Sequence, residues 1–107
     1  MNDNFKCIYK ILRTLERALD YENIDLEEIG YERLEISKER WMKYLEMMLD
    51  MGLIKGIEFK TYVDGERGVV NDGVRITLKG LEYLSENTIM QRFYKAAEKA
   101  VKFIPKP

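Results

Sequence analysis

The 107-residue sequence contains no histidine, a single cysteine and only two prolines. Each scarcity excludes something. Without histidine the chain lacks the commonest general base near neutral pH and the commonest transition-metal ligand. Neither a Ser-His-Asp triad nor a Cys-His pair can be assembled within it. One sulfur, that of Cys7, cannot build an intramolecular disulfide framework or a thiolate zinc site. Cys7 lies in an apolar helical run and is expected as a small buried or half-buried residue. No segment approaches the roughly 18 consecutive apolar residues of a membrane span, and the opening MNDNFKCIYK lacks the basic and apolar regions of a secretory signal. The expectation is a cytoplasmic protein with no cofactor, no metal and no membrane partner. Carboxylates are plentiful, as at Glu27 with Glu28 and Asp64 with Glu66, but their spacing does not suggest a built acid–base site. No phosphate loop, nucleotide fingerprint or nucleophile motif occurs either. No enzyme is expected.

Hydrophobic residues make up 46% of the chain and charged residues 35%, enough apolar surface to offset chain entropy and fold. The length is that of one domain, and no Pro-rich or low-complexity tract marks a linker. Net charge is −1, but it is unevenly distributed. Asp20 to Glu35 holds seven acids and one base, and Thr88 to Pro107 five bases and one acid. The whole chain therefore does not advertise nucleic-acid binding, while its tail is basic.

Hydrophobic spacing predicts a first helix over 3–20, with Asp3 or Asn4 as its cap. Phe5, Ile8, Leu12, Leu15 and Leu19 form the inward stripe and Cys7, Ile11 and Ala18 an adjoining strip. Asp25 can cap a short helix through Ile29, after which Leu34 and Ile36 approach the next element in extended form. Ser37 and Gly52 bracket a second strong helix over 38–51, with Trp41 or Met42, Leu45, and Met48 or Leu49 inward. Its four methionines, Met42, Met47, Met48 and Met51, suit either a core or a soft partner surface. A strand is expected over 53–62, bent at Gly56. The stretch VDGERGVVNDG reads as an extended hairpin loop or two linked turns. The chain returns as a strand from Val74 to Leu78.

The stretch VRITLKGLEYL, Val74 to Leu84, then passes from period two to helical spacing without a break. Thr77 sits at the join as an N-cap, and Gly80 in the first turn allows close approach of another backbone. A last helix is expected over 89–104, with Met90, Phe93, Ala97, Ala100 and Ile104 spaced as an a/d seam. A lone hairpin cannot make a stable sheet and must lie on the helices. The order of elements therefore predicts an α+β winged helix-turn-helix. It comprises a three-helix core, a β-hairpin wing and additional C-terminal helices in a single domain over 1–107, with 88–107 as a basic C-terminal helix and short tail.

GLI at Gly52 to Ile54 and ITLKGLEYL at Ile76 to Leu84 resemble segments of many winged-helix proteins of bacteria and phages. With the short length and the extra terminal helix, the chain looks most like the YjcQ family of small, prophage-associated proteins. The final helix is more distantly similar to that of PadR-like regulators, where it makes a dimer. The resemblance implies the winged-helix fold and carries no measured activity with it.

For function, the leading expectation is binding of double-stranded DNA by a phage or prophage transcriptional regulator, with the third helix in the major groove. Ser37, Lys38, Arg40 and Lys43 lie on the N-terminal half of that helix, and Lys60 and Arg67 on or near the wing. The alternative is a protein-interaction module on the same scaffold that does not bind DNA, because bases and acids balance at three each from Lys38 to Met51. The seam at Met90, Phe93, Ala97, Ala100 and Ile104 would pack within the chain, giving a monomer, or against a second copy, giving a weak homodimer.

Overall fold

The computed structural model describes residues 3–87. Four helices and a two-stranded antiparallel hairpin follow one another in that span: α1 (Asp3–Arg17), α2 (Tyr31–Leu34), α3 (Lys38–Asp50), β1 (Ile54–Thr61), β2 (Arg67–Ile76) and α4 (Leu78–Glu86). This α+β order is compatible with a winged helix. Among the described residues no helix is long and apolar enough to cross a membrane. The terminal helix expected over 89–104, with its seam at Met90, Phe93, Ala97, Ala100 and Ile104, lies outside the described residues.

In α1 the buried face is broader than the stripe that spacing suggests and falls short of it at both ends. Cys7, Ile11, Leu12 and Leu15 are in the core, whereas Phe5 is 49% and Leu19 51% exposed. Leu12 and Leu15 of the stripe stay at the centre, Cys7 and Ile11 of the adjoining strip widen the buried face on one side, and Tyr9 widens it on the other. Phe5 lies in the first turn, and after Arg17 the chain tightens into a 3-10 turn, Ala18–Asp20. The tighter turn advances Leu19 off the helical face.

Asp25 caps a second 3-10 turn, Leu26–Ile29, by accepting from the Glu27 N–H at 3.1 Å, and Ile29 is buried. The next segment corrects an expectation. Leu34 belongs to the four-residue helix α2, not to an extended approach. Glu35 adopts the left-handed conformation at φ 60°, and the N–H groups of Glu35 and Ile36 reach back to the carbonyls of Glu32 and Tyr31. This is the paired closure usually built on glycine. Without glycine there, spacing offers no stop signal to reveal a helix so short.

Three residues later Ser37 caps α3, accepting from Arg40 N–H at 3.1 Å. At the other end Gly52, at φ 75°, closes the helix, with Leu53 N–H bonding Met48 O at 2.8 Å. Trp41, Met42, Tyr44, Leu45 and Met48 are buried. Two of the four methionines are therefore core, while Met47 and Met51 are exposed. Trp41 donates its indole N–H to Ile29 O at 2.8 Å and packs its ring 5.3 Å from that of Tyr31. This fastens α3 to the short helical segments before it.

The hairpin is longer and its loop shorter than the glycines suggest. Only Tyr62 to Glu66 turns, with Tyr62 N–H bonded to Glu66 O at 2.7 Å and Asp64 Oδ1 accepting from Glu66 N–H at 3.0 Å. β2 then runs from Arg67, not from Val74, and ends at Ile76, not at Leu78. The second Asp-Gly pair, Asp72–Gly73, is not a turn but part of a bulge. The register shifts between Lys55 and Ile57, opposite it. Gly56 at φ 89° and Gly73 at φ 80° lie so close that a Cβ on Gly56 would sit 2.3 Å from Gly73 O. Asn71 secures the bulge, its Oδ1 accepting from Gly73 and Val74 N–H at 3.1 and 2.9 Å. Its Nδ2 also donates to Ile24 O at 2.8 Å.

Candidate nucleic-acid interface

Glu39, Arg40, Lys43 and Met47 are exposed on the side of α3 away from the core, and Lys38 is exposed in its first turn. The Gly52 turn sends the hairpin back alongside the helix. Its tip residue Glu66 faces Lys38 at the helix start, Nζ to carboxylate 3.9 Å, and Arg67 reaches Glu46 at mid-helix, 3.3 Å. These two ion pairs link the helix to the hairpin. Both are largely solvent-exposed, and such pairs contribute only about 0–1 kcal/mol each. The Arg67 guanidinium also lies 5.5 Å from the ring centroid of Phe59, on the paired strand.

The six residues expected at a DNA surface are therefore arranged as follows. Ser37 is the helix cap, its hydroxyl occupied by Arg40 N–H. Lys38 and Arg67 are paired across to Glu66 and Glu46, and Lys43 lies 3.7 Å from Glu39 one turn before it. Lys60 is exposed on β1, opposite Gly68 of β2. Arg40 is held differently: its Nη1 donates to Asn4 Oδ1 at 2.9 Å and to Tyr44 OH at 3.3 Å, and the Tyr44 hydroxyl donates to Asn4 Oδ1. Hydrogen bonding to Tyr44, with its electrostatic effect, raises the pKa of this guanidinium further above its already high value.

Asn4 and Tyr44 were not legible as site residues. Asn4 read as a candidate cap, yet α1 already begins at Asp3, and the Asn4 side chain turns to a helix 36 residues away. For Tyr44 there was one usable signal, its position four residues after Arg40 on the same helix. The same residues border an open groove of about 510 Å³ between the start of α1 and α3. Phe5, Ile8 and Met47 supply its apolar wall, with Arg40 and Lys43 at its rim.

Comparison with known families places the chain. The sequence pattern of the YjcQ family, described as YjcQ protein, matches residues 9–104. The chain belongs to the YjcQ family. No curated protein and no solved structure matches it. The YjcQ match takes in both segments that carried the resemblance, Gly52 to Ile54 and Ile76 to Leu84, together with α2, α3 and the hairpin. Asn4 precedes the stretch matched to the YjcQ pattern, whereas Arg40 and Tyr44 fall within it.

Proposed function

We propose that this YjcQ family member is a winged-helix DNA-binding protein, a non-catalytic regulator of phage or prophage type acting in the cytoplasm. In this reading the N-terminal half of α3 enters the major groove and the hairpin follows the adjacent backbone. The observation that carries it is the N-terminal half of α3, where Lys38, Arg40 and Lys43 are exposed beside a hairpin bearing exposed Lys60 and Arg67. Ion pairs this exposed are weak enough for their cations to transfer to phosphate.

Charge limits the affinity. Lys38 to Ile76 contains seven bases and seven acids, and most nonspecific affinity comes from neutralised phosphates. Engagement by Arg40, Lys43 and one hairpin cation corresponds to a log–log salt slope of about −2.7, at roughly −0.9 per phosphate. Fluorescence anisotropy on duplex fragments of the source genome, repeated at several salt concentrations, tests the reading. Arg40→Ala and Lys43→Ala should each weaken binding and flatten the slope by about 0.9.

The second reading, a protein-interaction module, is favoured by the groove beside α3, where exposed Phe5 and Met47 face solvent. If no genomic fragment binds more tightly than about 10⁻⁴ to 10⁻⁶ M at physiological salt, this second reading replaces the first.

A further inference from the structure

Arg40 is set apart from its neighbours by the kind of partner that holds it. Lys38, Lys43 and Arg67 each lie against a carboxylate. The two side-chain partners of Arg40 are neutral oxygens, Asn4 Oδ1 and Tyr44 OH. Among the described residues no carboxylate stands within ion-pair distance of Arg40, and two neutral oxygens restrain it in position. The restraint is well founded. Tyr44 is only 3% exposed, so its hydroxyl is carried on a ring locked in the core. Asn4 accepts from both the arginine and the tyrosine, which joins the first turn of α1 to the first turns of α3.

Both bonds arise from Nη1. A guanidinium presents five N–H donors in a planar fork, and pairing along one edge engages two acceptors at once. Holding Nη1 fixes the plane while leaving the Nε and Nη2 donors on the opposite edge. A flexible arginine loses rotamer freedom on binding, and one already restrained loses less.

We propose that Asn4 and Tyr44 are positioning residues that hold Arg40 so that its Nε–Nη2 edge pairs bidentately with a backbone phosphate of DNA. The inference rests on the DNA reading above and adds to it a reason for Arg40 to be the principal anion contact of the face. Lysine at position 40 would keep the charge and lose the fork.

Two measurements separate failure of the inference from failure of the reading. The first needs no DNA. Arginine-detected NMR on the intact protein should show slowed rotation of the Arg40 guanidinium, accelerated in Tyr44→Phe and in Asn4→Ala. Equal rotation in all three proteins would overturn the positioning role, whether or not DNA binds.

The second is a double-mutant cycle on a short mixed-sequence duplex at low salt. Tyr44→Phe should weaken binding about three- to tenfold, the scale of one side chain's ordering cost, in a protein that stays fully folded at the assay temperature. It should have no effect in an Arg40→Ala background, and Arg40→Lys should not restore wild-type affinity. An effect of Tyr44→Phe that persists without Arg40 would mark it as merely structural and overturn the inference alone. No binding by the wild-type protein would overturn the reading and the inference together.

Discussion

Gly80, in the first turn of α4, lies directly against the carbonyl of Leu53, the residue that follows the α3 stop. A Cβ at position 80 would stand 2.4 Å from Leu53 O and 2.5 Å from the Ile76 side chain. The contact belongs to a junction in which Thr77 does three things. Its N–H bonds Leu53 O at 3.0 Å, its hydroxyl donates to Gly52 O, and the same oxygen accepts from Gly80 N–H at 3.1 Å. The end of α3, the end of β2 and the start of α4 are thus fastened at one point. That is why strand and helix join in VRITLKGLEYL without a loop.

Gly80→Ala should destabilise the protein by about 1–3 kcal/mol, as overpacking does. Helix propensity alone would make alanine better there by about 1 kcal/mol, so the two effects oppose each other and differ in sign. Urea unfolding measures the balance. An alanine variant more stable than wild type would mean that the α4 start stands farther from Leu53.

Leu45 is fully buried at the centre of the α3 inner face. Leu45→Ala should cost about 2–5 kcal/mol. A loss below about 0.5 kcal/mol, within the range of surface changes, would place α3 in the wrong rotation about its axis.

At Glu35 the backbone is left-handed, which costs a side chain with a Cβ roughly 1–2 kcal/mol. Glycine removes that cost but adds freedom to the unfolded chain. Glu35→Gly should therefore be stabilising by about 0.5–1 kcal/mol, read as a raised denaturant midpoint. A lowered midpoint would contradict the closure of α2 described above.

Asn71 supplies three hydrogen bonds to the bulge and to the segment after α1. At about 0.5–1.5 kcal/mol for a typical net bond, and with the site exposed, Asn71→Ala should lose about 1–2 kcal/mol. The amides of Gly73 and Val74 should exchange faster with solvent. Asn71→Asp keeps the acceptor and gives up the donor to Ile24 O, so it should fall between wild type and alanine. Unchanged exchange at Gly73 and Val74 in Asn71→Ala would show that the bulge stands without the side chain.

Much of this architecture was legible because its signals are local. Ser37, Asp25 and Thr77 cap helices where their short polar side chains stand, since a cap needs only its own oxygen and an N–H two or three residues on. Gly52 ends α3 for an equally local reason. Most of the order of helices and strands follows from such signals, α2 excepted.

What the tertiary structure decided involves partners distant along the chain. Whether Asp-Gly becomes a turn, as at Asp64–Gly65, or a bulge, as at Asp72–Gly73, depends on Gly56 across the hairpin and on Ile24 beyond it. How wide the buried face of α1 is, and where it ends, depends on the elements that pack against it, so Tyr9 lies inside and Phe5 outside. The arginine at position 40 was visible as a cation on a helix face. Its restraint by Asn4 was not, because 36 residues of chain separate them and no periodicity spans that distance. Caps and stripes are properties of neighbouring residues in one element. A bulge register, a buried face and an oriented guanidinium exist only when two elements meet.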